Sequence, residues 1–312
     1  MMYYPLYAFL YLLSLLPTRV LYILSDLLCF LVYNVFAYRK AVVISNIAQV
    51  FPGKNKEEIL AITKKFYKNF IDSFIETIKL ISASEAYINK HVEIDVEAIE
   101  SVFSAGKKCQ LLSSHNFNWE YCNVGLPLHM SHPFLGVYMP LKNKPMDRLF
   151  LKIRSRTGSV LLPATNMQKA ILPYRNQIYA LGLIADQNPG DPKKAYWLYF
   201  FGKPTPFVMA PERGARLGNI PCVFCNISRL PKRGYYRLKA EMISENPAEL
   251  PEGEITRRFV KIVEDAIRKQ PDNYLWSHKR WKHSWNESYK RYWIDGERPM
   301  PENEVSPLSI EN

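Results

Sequence analysis

The sequence predicts an α/β fold: a mostly parallel central sheet flanked by helices, with an N-terminal membrane anchor helix region ahead of it. Three observations predict this. From residue 92 onward, short apolar runs alternate with amphipathic stretches, as in strands joined by crossover helices. The first 38 residues are strongly apolar. Two of the later apolar runs end in polar, turn-rich segments that carry titratable residues, and in open α/β sheets ligands bind outside the carboxyl ends of the strands.

The elements follow in order. Residues 3–16 and 20–38 are apolar, interrupted only around Pro17, Thr18, Arg19 and Asp26. Neither run is an unbroken span of about 20 apolar residues. No basic n-region and no small-residue cleavage site is found, so 1–38 reads as a retained anchor, spanning or deeply embedded, and not as a cleaved signal peptide. The competing reading is a buried amphipathic helix pair of a soluble domain. Basic residues follow the anchor (Arg39, Lys40, Lys54, Lys56, Lys64, Lys65) and none precedes Arg19, which places the remainder on the cytoplasmic side. Residues 39–91 read as a helical connector. Pro52-Gly53 marks a turn, Asn55 can cap a helix over about 56–81, and Ile59, Ile62, Phe66, Phe70, Phe74 and Ile78 keep helical rhythm. Residues 92–295 form the α/β domain. Its strands are expected in KKCQLLSS, PFLGVYMP, SVLLPA, QIYALGLIA, IPCVFCNI and YYRLKAEMI, its helices near 117–129, 144–156, 166–175, 209–217 and 252–269. The Pro-rich, polar stretch 296–312 reads as a flexible tail.

Composition narrows the function classes. With 48 % hydrophobic and 22 % charged residues, the chain is globular and not disordered. A net charge of +12 points to an anionic partner: nucleic acid, lipid headgroups or an acidic protein. A nucleic-acid binder would cluster cations around exposed aromatics and has no need of an anchor, so nucleic acid is not the expected partner. The cysteines are five and irregularly spaced, which argues against a disulfide framework. Cys222 and Cys225 form a CxxC, but in an apolar strand with no second ligand pair; they read as core residues, and no metal site is expected.

Candidate chemistry sits in LLSSHNFNWEYCNVGL, residues 111–126. An apolar strand ends at Ser113-Ser114, His115 follows, and a helix begins just after. Glu120 lies near the first helical turn and can fold back on the imidazole. A carboxylate on one ring nitrogen fixes the tautomer and leaves the other nitrogen as a base. In 144–156, Lys144, Arg148, Lys152 and Arg156 form a stripe that reads either as a solvated face or as a field for an anion, and Arg154 stands off it. Arg154 is the better candidate for a bidentate contact to phosphate or carboxylate. Asp186, in LGLIADQNPGDP, ends another strand on the edge expected for His115, where it can order the site or contact substrate.

In order, SSHNFNWE, YMPLKNKPMDRLFLKIRSRTGS, ADQNPG, FFGKPTPF and DNYLWSHKRWK resemble the bacterial late acyltransferases of lipid A biosynthesis, of the lysophospholipid acyltransferase-like superfamily. The resemblance spans nearly the whole chain. It implies an O-acyltransferase at the cytoplasmic face of a bacterial inner membrane, acting without cofactor. It implies acyl carrier protein as donor, a lipid acceptor resembling a lipid A precursor, and inner-membrane lipids as surroundings. Acyltransfer to another membrane lipid is the alternative. His115 and Glu120 fall on the family's H-x-x-x-x-[DE] pair, Arg154 on the first arginine of its R-x-R, and Asp186 on the aspartate opening its D-[QH]-D. The chain departs from the pattern at Ser114, Met139 and Asn188, where asparagine, arginine and aspartate are usual.

Overall fold

The computed structural model describes residues 3–299. Most of the expected tail, from residue 300 on, lies outside the described residues. The apolar start folds as α1 (Tyr3–Leu15) and α2 (Thr18–Phe30), and α2 runs on as a π-helical turn over Leu31–Val35. Pro17, the N-cap of α2, separates the two helices, since proline fits the start of a helix and not its interior. Thr18–Val35 is long and apolar enough to cross a membrane, by length and composition. One face of α2 packs through Leu21 on Ile71 and Ile75. The other face leaves Ile23 (70 %) and Leu27 (56 %) exposed, beside Phe9 and Leu12 of α1.

Helix α3 (Lys40–Val50) leads to α4 (Lys56–Lys79), which carries Ile71 and Ile75. Asn55 caps α4 as expected: its side chain accepts from the Glu58 amide while the Glu58 carboxylate accepts from Asn55 N. Of the predicted stripe, Ile59 and Phe66 are buried, whereas Phe74 faces out. Polar residues of α4 are buried under α2 as well. Ser25 Oγ donates to Asp72 at 2.6 Å, and Arg233 bridges Asp72 to Asp26.

Next come α5 (Glu85–His91), β1 (Val92–Asp95), α6 (Glu97–Ser104), β2 (Cys109–Ser113), α7 (Trp119–Gly125), β3 (Phe134–Tyr138), α8 (Lys144–Arg154) and β4 (Val160–Pro163). After these follow the single-turn α9 (Met167–Ala170), β5 (Ala180–Ile184), β6 (Ala195–Phe200), β7 (Lys203–Val208), α10 (Ala210–Gly218), β8 (Cys222–Arg229), β9 (Tyr236–Ser244) and α11 (Glu254–Lys269). Seven strands form one sheet in the order β1-β9-β8-β2-β5-β3-β4, parallel throughout except for the β8–β9 pair. Cys222 and Cys225 lie buried on β8, as core residues. Helix α11 packs Ile255, Phe259, Val263 and Ile267 into the main core at helical spacing.

Three elements differ from the sequence reading. The helix expected over 166–175 breaks into 3₁₀ turns around α9, with Pro173 in the second of them. Strand β1 was hidden between two helices. The β6–β7 hairpin reads in sequence as an apolar run followed by a Pro-rich one. Pro204 and Pro206 fit β7 because the hairpin is a separate two-stranded ribbon whose outer edge needs no donors.

Candidate active site

The centre of the sheet sets the site. Strands β2 and β5 are adjacent and parallel, with Ser113 opposite Ile184. Two residues beyond those partners the chain places His115 and Asp186, so neighbouring strand ends deliver them side by side. His115 Nδ1 lies 2.6 Å from Asp186 Oδ1, and the His115 backbone N–H donates to Asp186 Oδ2 at 3.0 Å. Asp186 is fully buried. Burial alone would raise its pKa, but the charge and hydrogen bonds of His115, with the Tyr274 hydroxyl, hold it below the usual carboxylate range. An ionised Asp186 requires the ring proton on Nδ1, so Nε2 presents a lone pair. Gln187 Nε2 sits 3.1 Å from that nitrogen and donates to it. The Trp119 indole stands edge-on to the imidazole, 5.3 Å between ring centres.

The carboxylate meeting His115 is therefore Asp186. Glu120, expected to fold back on the imidazole, instead accepts from Arg154: Nε to Oε2 at 2.9 Å and Nη2 to Oε1 at 2.5 Å. The reason is placement. Glu120 occupies the first turn of α7, and the last residue of α8 reaches it there; Asn123 Nδ2, donating to Arg154 O at 2.8 Å, ties the two helices together. Burial opposes the charge on Arg154, yet the adjoining Glu120 carboxylate raises its pKa above the usual value. The bidentate contact expected of Arg154 thus exists, with a carboxylate of the same chain as its partner. The Trp119 indole N–H also donates to Glu120, at 3.1 Å, so one side chain touches both pairs.

The basic stripe beside Arg154 (Lys144, Arg148, Lys152 and Arg156) is exposed, as a solvated face would be, but three of its four cations also have partners in the chain. Arg148 lies over the Tyr3 ring at 4.1 Å and Lys152 over Tyr7 at 4.0 Å, so α8 docks on the tyrosine row of α1. Arg156 donates to the carbonyls of Leu80 and Ala83.

Below His115 opens a cavity of about 440 Å³ between the sheet and α7. Every second residue of β2 lines it, Leu111 and Ser113 and then His115, as the period of a strand demands. Phe134 and Gly136 of β3, Gly182 of β5, and Cys225 and Ile227 of β8 continue the wall, with Cys122 of α7 and Leu126 just after it as the roof. A Cβ on Gly182 would stand 2.6 Å from the Phe134 ring, so only glycine lets that ring lie across the strand. Glu120, Arg154 and Gln187 also line the cavity, as does Met139, exposed where the resemblance expects arginine.

The sequence reading did not single out Gln187, Trp119 or Tyr274. Nor did it assign a role to His278 or Arg280. Arg280 is buried, donates to Asn188 Oδ1 at 2.9 Å and to the Pro206 carbonyl, and lies over Phe207 at 4.2 Å. Its burial pushes its pKa down to about 10. Burial and the nearby Arg280 charge push His278 down to about 4. The cue was the density of Trp, His and Arg in LWSHKRWK.

An imidazole paired with a buried carboxylate, opening on an apolar cavity at the carboxyl ends of parallel strands, is an arrangement that can receive an apolar chain and move a proton at its head. Sequence comparison gives the family. The chain belongs to the bacterial lipid A biosynthesis acyltransferase family, whose model matches residues 2–283. Comparison with curated proteins gives no significant match.

Proposed function

We propose that the protein transfers a fatty acyl chain from acyl carrier protein to a hydroxyl of a membrane glycolipid, a lipid A precursor, with His115 as the base. The observation that carries this reading is the His115–Asp186 pair at the mouth of the 440 Å³ apolar cavity. The acyl chain occupies the cavity, where each buried methylene contributes about 0.8 kcal/mol. The acceptor hydroxyl replaces the Gln187 amide at His115 Nε2. Its oxygen attacks the thioester carbonyl carbon while Nε2 takes its proton, and Asp186 stabilises the imidazolium that forms. The tetrahedral intermediate then collapses, the C–S bond breaks, and the leaving thiolate recovers the proton from His115. Arg154, held by Glu120 through Nε and Nη2, retains Nη1 as a donor for an oxyanion.

The N-terminal helices fit the same reading. With one face packed on α4 and an apolar face open, α1 and α2 seat the enzyme in the cytoplasmic face of the inner membrane, so that acceptor lipid reaches the site without leaving the bilayer. Incubating the purified protein with acyl-loaded carrier protein and a phosphorylated glycolipid, followed by mass spectrometry, tests the proposal. The expected product is the glycolipid one acyl chain heavier, absent with His115→Ala. Transfer to a glycerophospholipid in preference to the glycolipid would overturn the acceptor, and no transfer to either would overturn the activity.

A further inference from the structure

The Glu76 carboxylate, on α4, is buried where four parts of the chain meet. Its Oε1 accepts from the Tyr22 hydroxyl of α2 at 2.7 Å. Its Oε2 accepts from the Tyr236 hydroxyl of β9 at 2.5 Å and from Asn118 Nδ2 at 3.1 Å. Asn118 is itself buried and turns its other amide atom toward the site: Oδ1 accepts from the Glu120 backbone N–H at 3.1 Å, capping α7. One amide group is thus fixed at both ends, by Glu76 on one side and by the backbone of the Arg154 partner on the other.

No cation pairs with Glu76 among the described residues; the neighbouring Arg233 is committed to Asp72 and Asp26. A buried carboxylate held only by neutral donors is a costly way to fill space, and an apolar side chain of the same volume would pack there at lower cost. Burial and the charge of Asp72 accordingly push the Glu76 pKa up to about 6. What an apolar residue could not do is orient three donors from three different elements at once.

We infer that Glu76 is a positioning residue that, through Asn118, couples the seating of helix α2 to the placement of the Glu120–Arg154 pair. When α2 is docked, Tyr22 completes the shell around Glu76, Asn118 is held, and the first turn of α7 presents Glu120 to Arg154 at the cavity. When α2 is displaced, the carboxylate loses a donor and the amide that caps α7 loosens. Seating against the bilayer and order at the site become one condition. This inference rests on acyl transfer at that site, and the test separates the two.

Three variants test it in the full-length protein: Glu76→Gln, Asn118→Ala and Tyr22→Phe, with rates normalised to the folded fraction from circular dichroism. Glu76→Gln is expected to lower kcat about 10-fold, a displacement of well under 1 Å at the reacting groups, with KM for the acyl donor unchanged. Combining Glu76→Gln with Asn118→Ala should leave kcat no lower than Asn118→Ala alone, because both act through one amide. Tyr22→Phe should give a smaller loss in the same direction. A second arm needs no substrate. The emission of Trp119, taken as wild type minus Trp119→Phe, should shift in Glu76→Gln because the indole bonds Glu120. Effects that multiply in the double variant, or a wild-type kcat in folded Glu76→Gln, would overturn the inference. If the wild type transfers no acyl chain, the acyltransferase reading fails, and an unchanged Trp119 emission would then separately overturn the coupling.

Discussion

Two carboxylate pairs meet the same cavity, and they are built in different ways. His115–Asp186 joins the ends of two adjacent parallel strands, so sheet register brings the two together at 2.6 Å. Arg154–Glu120 joins the end of one helix to the start of another, and needs Asn118, Asn123 and Trp119 to hold it. The first pair contains an imidazole with one ring nitrogen facing the cavity; the second is a forked guanidinium–carboxylate contact. The difference teaches a division of labour: the sheet places the imidazole and its carboxylate, and the helices place the ion pair beside them.

The largest expected effect falls on the first pair. His115→Ala should lower kcat by roughly 10²–10⁴-fold, the range for a lost general base, with the fold unchanged. Single-turnover transfer measured by mass spectrometry decides this, and near-normal turnover would remove His115 from the mechanism. Asp186→Asn keeps the shape and removes the anion. It should free the imidazole from the tautomer that Asp186 fixes, with turnover reduced by about 10² or more. A stability effect accompanies it. The folded pKa of Asp186 lies below the ordinary 3.8, so its contribution is complete above about pH 4 and is lost as pH falls through the lowered value. Acid titration by circular dichroism should therefore be less steep for Asp186→Asn below pH 4; identical curves would contradict the depressed pKa.

On the second pair, the expected loss falls on stability as well as on turnover. Breaking a largely buried ion pair costs about 3–5 kcal/mol, and Arg154, whose side chain is 23 % exposed, places Glu120→Ala at the lower end. Denaturant melts of Glu120→Ala, Arg154→Ala and the double variant would give the coupling energy directly. If the effects add, the two side chains do not act as a pair. Arg154→Lys should restore charge without the planar fork and recover only part of the loss.

The smallest effects belong to the basic row on α8. Arg148→Ala and Lys152→Ala should each cost about 0.5–1 kcal/mol by loosening α1, as expected for cations over partly exposed rings. Catalytic rates should show no salt-dependent loss from these changes. A rate loss that fades with added salt would instead return these cations to the role of an electrostatic field.

The legibility of the sequence follows the same division. The strand ends were legible: the runs into Ser113-Ser114 and into Ala185 put His115 and Asp186 on one edge before any coordinates. What pairs with what was not. Glu120 lies five residues from His115 in sequence, and chain proximity suggested a contact that Arg154, arriving from 34 residues away, takes instead. The cations at 144, 148 and 152 were legible as a helical stripe, but nothing in that spacing says that the rings of Tyr3 and Tyr7 cover two of them. The alternation of the sheet also hid β6–β7, because two prolines in a ribbon strand look like a loop. Local periodicity encodes elements; partners separated by long stretches of chain are encoded only by the closed structure.

The ion pairs under α2 carry a consequence for the order of synthesis. Arg233 lies 207 residues after Asp26 and 161 after Asp72. At about 5–20 residues per second, the ribosome adds those 207 residues in roughly 10–40 s. For that interval α1 and α2 have already emerged with their apolar faces, while Asp72 and Glu76 still wait for Arg233 and Tyr236. The N-terminal helices are made well before the hairpin between β8 and β9 that clasps them. A chain stalled before residue 233 therefore leaves Asp72 without its guanidinium partner and Glu76 without the Tyr236 hydroxyl.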